Sequence, residues 1–181
     1  MPKRQVFFSF RYAYDAWRAS QVRNMGLVTD EPHFSDNSWE EVREKSVDKV
    51  HEWIDKEMKY RSCVVLLIGE HTQGRPYINY EIEQAWKQGK GIVGIYVHGL
   101  KDQNGRKANK GANPLSMFCI DRFDGTIHFR EPLYSCELFL SSVVKTYDPT
   151  SPFSDDTYNY ISKNIESWIE EAIQIRNRYP K

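Results

Sequence analysis

The feature that most constrains the fold is the apolar run SCVVLLI at positions 62–68. A strand with one solvated face alternates apolar and polar residues, whereas this run is apolar on both faces. Strands of that kind occur in parallel sheets whose two faces are both covered by helices. Residues 62–68 therefore predict a central strand of an α/β fold.

Two further β-rich runs and several helical patterns surround that strand. Residues 5–10 (QVFFSF) and 91–97 (GIVGIYV) are rich in β-branched and aromatic side chains. A helical pattern follows the first run, from Tyr12 to about Met25. Pro76 suits the first position of a helix and Gly89 suits the position after its end, which predicts a helix over 76–88. Strands that alternate with helices in this way predict a doubly wound, mainly parallel sheet.

Another helix is predicted between the first two strands. Ser38 and Glu41 have capping-box spacing, and the apolar residues that follow recur at helical spacing. We expect one buried stripe on this helix, formed by Val47, Val50, Ile54 and Met58. The segment 33–39 that precedes it is short enough for an edge strand and a loop.

The chain changes character beyond residue 97. Residues 98–114 hold Asn104-Gly105 and four Lys or Arg residues, and predict a long exposed loop or hairpin. Turn-rich residues 148–156 precede a strongly amphipathic helix. We expect one α/β domain over 1–147 and a C-terminal helical extension over 148–181 packed on it; the alternative is that its apolar stripe is an oligomer contact. The residues of that stripe are Ile161, Ile165, Trp168, Ile169, Ala172 and Ile175.

Composition narrows the functional classes. Lys plus Arg and Asp plus Glu both total 25, so the formal net charge is zero. Nucleic-acid binding depends on phosphate neutralisation by a basic surface, so we expect no nucleic-acid partner. No run approaches the ~20 apolar residues of a membrane span, and the N-terminal apolar run is too short for a signal peptide. We expect a cytoplasmic protein without a membrane partner.

The cysteines and histidines indicate no metal site. Cys63, Cys119 and Cys136 are odd in number and lack a C-x-x-C motif, and the five histidines have no ligand spacing on one helix. We therefore expect reduced cysteines, with Cys63 in the core, and no bound metal.

Candidate site residues follow the predicted strands, because open parallel sheets bind ligands beyond the carboxyl ends of their strands. Ser9, Phe10 and Arg11 follow the first strand, and Thr72 follows the second. On the helix that starts at Pro76, Tyr77 and Glu81 are one turn apart and flank the buried stripe. An aromatic ring can stack on a ribosyl substrate, and a carboxylate can bind its diol and stabilise an oxocarbenium-like transition state.

Each of these residues also has a plain structural interpretation. A glutamate in the first turns of a helix is favoured by the helix dipole alone. Phe10 suits the core as well as a stacking platform, Ser9 can simply end its strand, and Thr72 can be an ordinary turn residue. Arg11 can pair with a pyrophosphate or lie on the surface.

Five segments, taken together, resemble the TIR-like proteins of the bacterial Thoeris anti-phage system. The resemblance covers roughly residues 3–120, in order and with family-like spacing. The segments are QVFFSFRY, FSDNSWEE, CVVLLIGEHT, RPYINYEI and IVGIYVHGLKDQNGRKANKGANPLSMF.

This resemblance implies a flavodoxin-like TIR fold of three layers. It also implies an enzyme that breaks the nicotinamide–ribose bond of NAD⁺, used as a substrate and not as a cofactor, and makes a cyclic or modified ADP-ribose. That diffusible nucleotide would activate a separate effector, and copies of the domain would assemble with one another. A non-catalytic TIR adaptor is the alternative. A receiver domain is disfavoured, because Ser9, Phe10 and Arg11 stand where receivers carry acidic residues.

The resemblance also assigns residue roles. Glu81 matches the catalytic glutamate, and Phe10 and Arg11 match the aromatic–basic pair beside the substrate. Asp36 and Trp39 fall in the segment equivalent to the loop over the site. TIR enzymes commonly carry a tryptophan four residues before the glutamate, where this chain has Tyr77, which keeps an aromatic surface of smaller area.

Overall fold

Four parallel strands form the central sheet of the protein. A computed structural model of the chain describes residues 4–25, 42, 44–130, 135–149 and 151–180. Within them, the sheet order is β1-β2-β3-β6, and each neighbouring pair is parallel. The strands are β1 (Val6–Ser9), β2 (Cys63–Ile68), β3 (Gly91–Tyr96) and β6 (Thr146–Tyr147). The two inner positions belong to β2 and β3, which confirms residues 62–68 as a central strand.

Helices cover this sheet, and a short hairpin lies outside it. The hairpin pairs β4 (Phe118–Ile120) with β5 (Ile127–Phe129) in antiparallel orientation and follows a 3₁₀-helix, Pro114–Met117. The helices are α1 (Tyr12–Arg23), α2 (Val47–Met58), α3 (Pro76–Lys87), α4 (Leu140–Val143) and α5 (Ser154–Arg176).

The side chains of β2 alternate between two separate cores. Val64, Leu66 and Ile68 pack on one face of the sheet, in a core that holds the buried residues of α2 and α3. Cys63, Val65 and Leu67 pack on the other face with residues of α1 and α5. Since every residue of β2 is buried, the strand needs apolar side chains on both faces. The molecule is therefore a three-layer α/β fold, as the sequence predicts.

Helix α5 covers one face of the sheet. Its stripe of Ile161, Ile165, Trp168, Ile169 and Ala172 lies in the same core as Val93 and Ile95 of β3. The predicted amphipathic helix is confirmed, and its apolar face is buried within the chain. The alternative of an oligomer contact through this stripe is therefore wrong. Gly91 lets the helix approach closely, since a Cβ atom there would lie 2.7 Å from the backbone nitrogen of Ile173.

Helix α3 begins and ends almost where the sequence predicts. Pro76 is its first residue and Gln88 caps its end. Gly89 follows with φ of 72°, and its N–H donates to the Trp86 carbonyl while the N–H of Lys90 donates to Ala85. These two bonds form a Schellman motif, which needs the left-handed conformation that glycine adopts without strain.

The start of helix α2 differs from the expectation. The capping box of Ser38 and Glu41 lies outside the described residues. The helix begins at Val47 after an extended Ser46, so no continuous helix joins the box to Met58. Val50, Ile54 and Met58 are buried as expected, but Val47 is 56% exposed. It occupies the first helical turn, where none of the described elements covers it.

The expectation for the cysteines is wrong for one pair. Cys119 of β4 and Cys136 form a disulfide bond, with their Cα atoms 5.7 Å apart. An isolated bridge between Cys119 and Phe139 brings the segment after Cys136 alongside β4, and so places the two sulfur atoms together. Their separation along the chain carries no motif that reveals this pairing. Cys63 is free and buried, as expected, and burial raises the pKa of its thiol.

Among the described helices, none combines the length and the apolar character required to cross a bilayer.

Candidate active site

A cleft lies where β1 ends and helix α3 begins. Its volume is about 180 Å³, and both the loop after β1 and the first two turns of α3 contribute to its walls. Such a position, beyond the carboxyl end of a parallel strand, is where open α/β sheets bind ligands. The lining residues are Phe10, Arg11, Tyr12, Ala13, Arg75, Tyr77, Ile78 and Glu81.

Glu81 is the acidic residue of this cleft. Ile78 and Ile82 anchor its helix in the core, so the side chain of Glu81 is held at only 5% exposure. The hydroxyl of Ser9, the last residue of β1, donates a short hydrogen bond to Oε2 of Glu81. Burial raises the pKa of Glu81 to about 8, and the bond from Ser9 partly opposes this shift by stabilising the ionised form. The carboxyl group is thus poised to change protonation near neutral pH.

Arg11 brings a positive charge to the same cleft. It is the extended residue that precedes α1, with φ of −77° and ψ of 96°. Its guanidinium carbon lies 5.7 Å from the ring centre of Tyr14. Its Nε atom is buried and has no hydrogen-bond partner among the residues that the structure describes. Buried donors without an acceptor are rare in proteins, so Arg11 is suited to bind an anion.

Aromatic rings form much of the remaining wall. Phe10 and Tyr12 lie with ring centres 6.3 Å apart. Tyr77 meets the His51 ring of α2 edge-on, at 6.2 Å between centres. The neighbouring Tyr80 is engaged elsewhere, because it stacks on His51 at 3.6 Å and donates to Asp55. Tyr77 is therefore the tyrosine of this helix that lines the cleft.

A buried ion pair fixes the loops around the cleft. Asp15 and Arg18 of α1 are 3.2 Å apart, and Arg18 also donates to the carbonyls of Leu100 and Arg106 in the loop after β3. Asp15 lies against Gly69 at the end of β2, where a Cβ atom would be 2.1 Å from its Oδ2. Burial raises the pKa of Asp15. The pair thus links α1, which follows β1, to the ends of β2 and β3.

Most of the predicted site residues come together, but not all. Phe10, Arg11, Tyr77 and Glu81 line the cleft, and Ser9 reaches it through its bond to Glu81. Asp36 and Trp39 lie outside the described residues. Thr72 does not line the cleft: it is fully buried, and its hydroxyl accepts a hydrogen bond from the N–H of Gly69. The plain interpretation of Thr72 as a turn residue therefore fits the structure.

The sequence interpretation misses four lining residues, which are Tyr12, Ala13, Arg75 and Ile78. Arg75 directly precedes Pro76. A residue before a helix-starting proline is extended and lies at the N-terminus of that helix. That position, next to the carboxyl end of the neighbouring strand, is the signal that could have identified it.

A second, larger cavity lies at the other end of α3. Its volume is about 370 Å³, and Glu83, Trp86, Asp124 and Arg176 contribute to its walls. Arg176 donates to the carbonyls of Trp86 and Tyr179, so its guanidinium caps the end of α3. None of the predicted site residues lines this cavity. Among the described residues, no group of three or more His, Cys, Asp or Glu side chains could hold a metal ion.

A parallel sheet with helices on both faces is the α/β architecture of a TIR-like domain. Residues 7–102 match the family model described as "Thoeris protein ThsB, TIR-like domain". This is more than half of the chain, which therefore belongs to the ThsB TIR-like family.

One relative carries a functional name. A protein of Bacillus cereus (strain MSX-D12), named "Putative cyclic ADP-D-ribose synthase ThsB1", is 30% identical over 117 residues. The matched region covers 62% of this chain and 61% of that protein. The chain thus spans less than two thirds of the length of this relative.

Proposed function

We propose that this protein is an enzyme that cleaves the bond between nicotinamide and ribose in NAD⁺. Nicotinamide leaves with the electrons of the broken C1′–N bond and becomes neutral. A nucleophile from the rest of the substrate, from another small molecule or from water then attacks C1′, which gives a cyclic, conjugated or hydrolysed ADP-ribose. NAD⁺ is a substrate here, and no resident cofactor is required.

The observation that carries this proposal is the buried Glu81 in a cleft walled by aromatic rings. Positive charge develops on the ribose as the bond breaks, and an ionised carboxylate in a site shielded from water stabilises that charge strongly. The same carboxylate can accept a hydrogen bond from a ribose hydroxyl. Ser9 holds the carboxyl group in place, and Tyr77 and Phe10 offer surfaces against which a planar ring can pack.

Release of nicotinamide tests the proposal directly. Purified protein is incubated with NAD⁺, and nicotinamide and the adenine-containing products are separated by chromatography. We expect release by the wild-type protein and a loss of at least about a hundredfold in Glu81→Gln, the size of effect seen when one charge-stabilising group is removed. Glu83→Gln is the matched control, because Glu83 lies on the same helix but lines the other cavity. Equal activity in all three proteins would contradict the role of Glu81.

The product defines the wider role. In the cytoplasm, a cyclic or modified ADP-ribose would diffuse to a cognate effector protein, as expected for a Thoeris defence system. A protein-free filtrate of the reaction should then activate the effector, whereas a filtrate from Glu81→Gln should not. Assembly between TIR domains is a further part of this proposal. If neither the purified protein nor extracts of phage-infected cells release nicotinamide, the protein is an adaptor that acts through such assembly.

A further inference from the structure

A second arginine faces the cleft. Arg75 precedes helix α3, as Arg11 precedes helix α1, and both line the cleft that holds Glu81. The Nε of Arg75 donates to the carbonyl of His71 at 3.2 Å, which fixes the side chain. This bond uses one donor of five, so both terminal amino groups remain for a ligand.

Neither arginine has an ion-pair partner among the residues that the structure describes. Within the described parts of the chain, no carboxylate lies within ion-pair distance of Arg11 or of Arg75. Both helices also start here without a side-chain cap, so free N–H groups add to the positive potential. Glu81 is the acid of the cleft, and its carboxyl group is bonded to Ser9. Two guanidinium groups thus share one cleft with a single carboxyl group, so at least one positive charge is left for an anionic ligand.

We propose that Arg75 and Arg11 together bind a diphosphate, and that Arg75 selects substrates that contain one. This inference rests on the proposed function, since the diphosphate of NAD⁺ joins its two ribose groups. Two guanidinium groups match the two negative charges of a diphosphate, and their planar donors suit paired phosphate oxygens. A nucleoside without phosphate would lose these contacts.

Binding of ADP-ribose tests the pair without requiring turnover. Calorimetry compares the wild-type protein with Arg75→Gln, Arg75→Lys and Arg178→Gln, where Arg178 is an exposed arginine beyond the end of α5. We expect Arg75→Gln to weaken binding by roughly ten- to hundredfold, the usual effect of losing charge-assisted hydrogen bonds. Arg75→Lys should restore part of the affinity because it keeps the charge, and Arg178→Gln should leave the affinity unchanged.

Salt dependence separates charge recognition from a merely structural role. Raising NaCl from about 50 to about 500 mM screens exposed charges, so it should weaken ADP-ribose binding more in the wild-type protein than in Arg75→Gln. Inorganic pyrophosphate should compete with ADP-ribose in the wild-type protein.

Three results would overturn the inference: no ADP-ribose binding by the wild-type protein, equal affinity in Arg75→Gln, or equal salt dependence in both. Failure of the proposed function is a different outcome. In that case ADP-ribose binding depends on Arg75, but no protein releases nicotinamide from NAD⁺. Conversely, if Arg75→Gln cleaves NAD⁺ with an unchanged KM, the proposed enzymatic function stands and the proposed role of Arg75 is wrong.

Discussion

The carboxyl group of Glu81 combines near-complete burial with a hydrogen bond from Ser9, so its protonation depends on pH in the range where cells operate. Its pKa is raised to about 8. If the ionised form is the active one, kcat/KM for NAD⁺ should rise about tenfold per pH unit below pH 8 and level off above it. Nicotinamide release between pH 6 and 9.5 measures this profile. A flat profile over this range, as expected for a solvated carboxyl group that is already ionised at pH 6, would contradict it.

Ser9 sets part of that profile. Its hydroxyl stabilises the ionised form of Glu81 and so lowers the pKa against the larger effect of burial. Ser9→Ala removes the donor, and we expect the bend in kcat/KM to move to higher pH. Activity at pH 7 should fall, and activity above pH 9 should recover toward the wild-type level. A loss of equal size at every pH would show that Ser9 acts on the fold or on substrate contacts instead.

The same pKa has a consequence for stability. Because the folded-state pKa lies above the unfolded value, the stability that protonated Glu81 contributes is present below about pH 4.5 and is lost as pH rises through about 8. Glu81→Gln mimics the protonated form. We expect it to raise the free energy of unfolding by on the order of 2–4 kcal/mol above pH 8 and by little at pH 4. Urea denaturation at both pH values measures this change in the free energy of unfolding. The control variant Glu83→Gln should show a much smaller change. A pH-independent difference would contradict this account.

At the scale of elements, the sheet and α5 meet through a glycine. A methyl group at Gly91 would lie within 3.0 Å of backbone atoms of Ala172 and Ile173, and backbone cannot rotate away. Gly91→Ala should therefore push α5 from β3 and lower the free energy of unfolding by about 1–3 kcal/mol, as overpacking does. Gln88→Ala, at the exposed end of α3, is the control. If Gly91→Ala leaves the free energy of unfolding unchanged, α5 can move away from β3 without loss of stability, which would contradict this prediction.

Regular elements could be predicted from the sequence where one residue pattern determines them. The strand β2 is apolar on both faces, and α3 has proline at its start and glycine after its end. Both follow from local rules of burial and capping. The start of α2 could not be predicted from the apolar periodicity, because that periodicity includes Val47, which lies in a first turn that none of the described elements covers. Periodicity records which face is apolar, not where tertiary contacts end.

Other features of the fold and of the candidate site depend on contacts that the sequence does not encode locally. The pairing of Cys119 with Cys136 requires the segment before α4 to lie beside β4. Thr72 follows the predicted strand as a site residue would, yet its hydroxyl turns inward to Gly69. In contrast, Glu81 and the residues after β1 could be predicted from the sequence, because parallel strands end at one edge of a sheet and ligands bind there.

At the scale of the whole molecule, α5 completes the second core although it follows the matched family region. Trp168 stacks on Tyr147 of β6 with ring centres 4.1 Å apart and joins the core that contains Cys63, Val65 and Leu67. Without α5, the part of that face that α1 does not cover would expose its apolar side chains to water. The C-terminal segment is therefore a structural layer of the domain.

Two variants of Trp168 test this conclusion. Trp168→Ala should lower the free energy of unfolding by about 3–5 kcal/mol, because it removes a large buried ring and leaves a cavity. Trp168→Phe should lower the free energy of unfolding by less, since it keeps an aromatic ring against Tyr147. Chemical denaturation of the full chain measures both, with Glu166→Ala on the exposed face of α5 as the control. If a chain of residues 1–147 instead folds cooperatively and is as stable as the full chain, α5 is an appendage and the second core is not required for the fold.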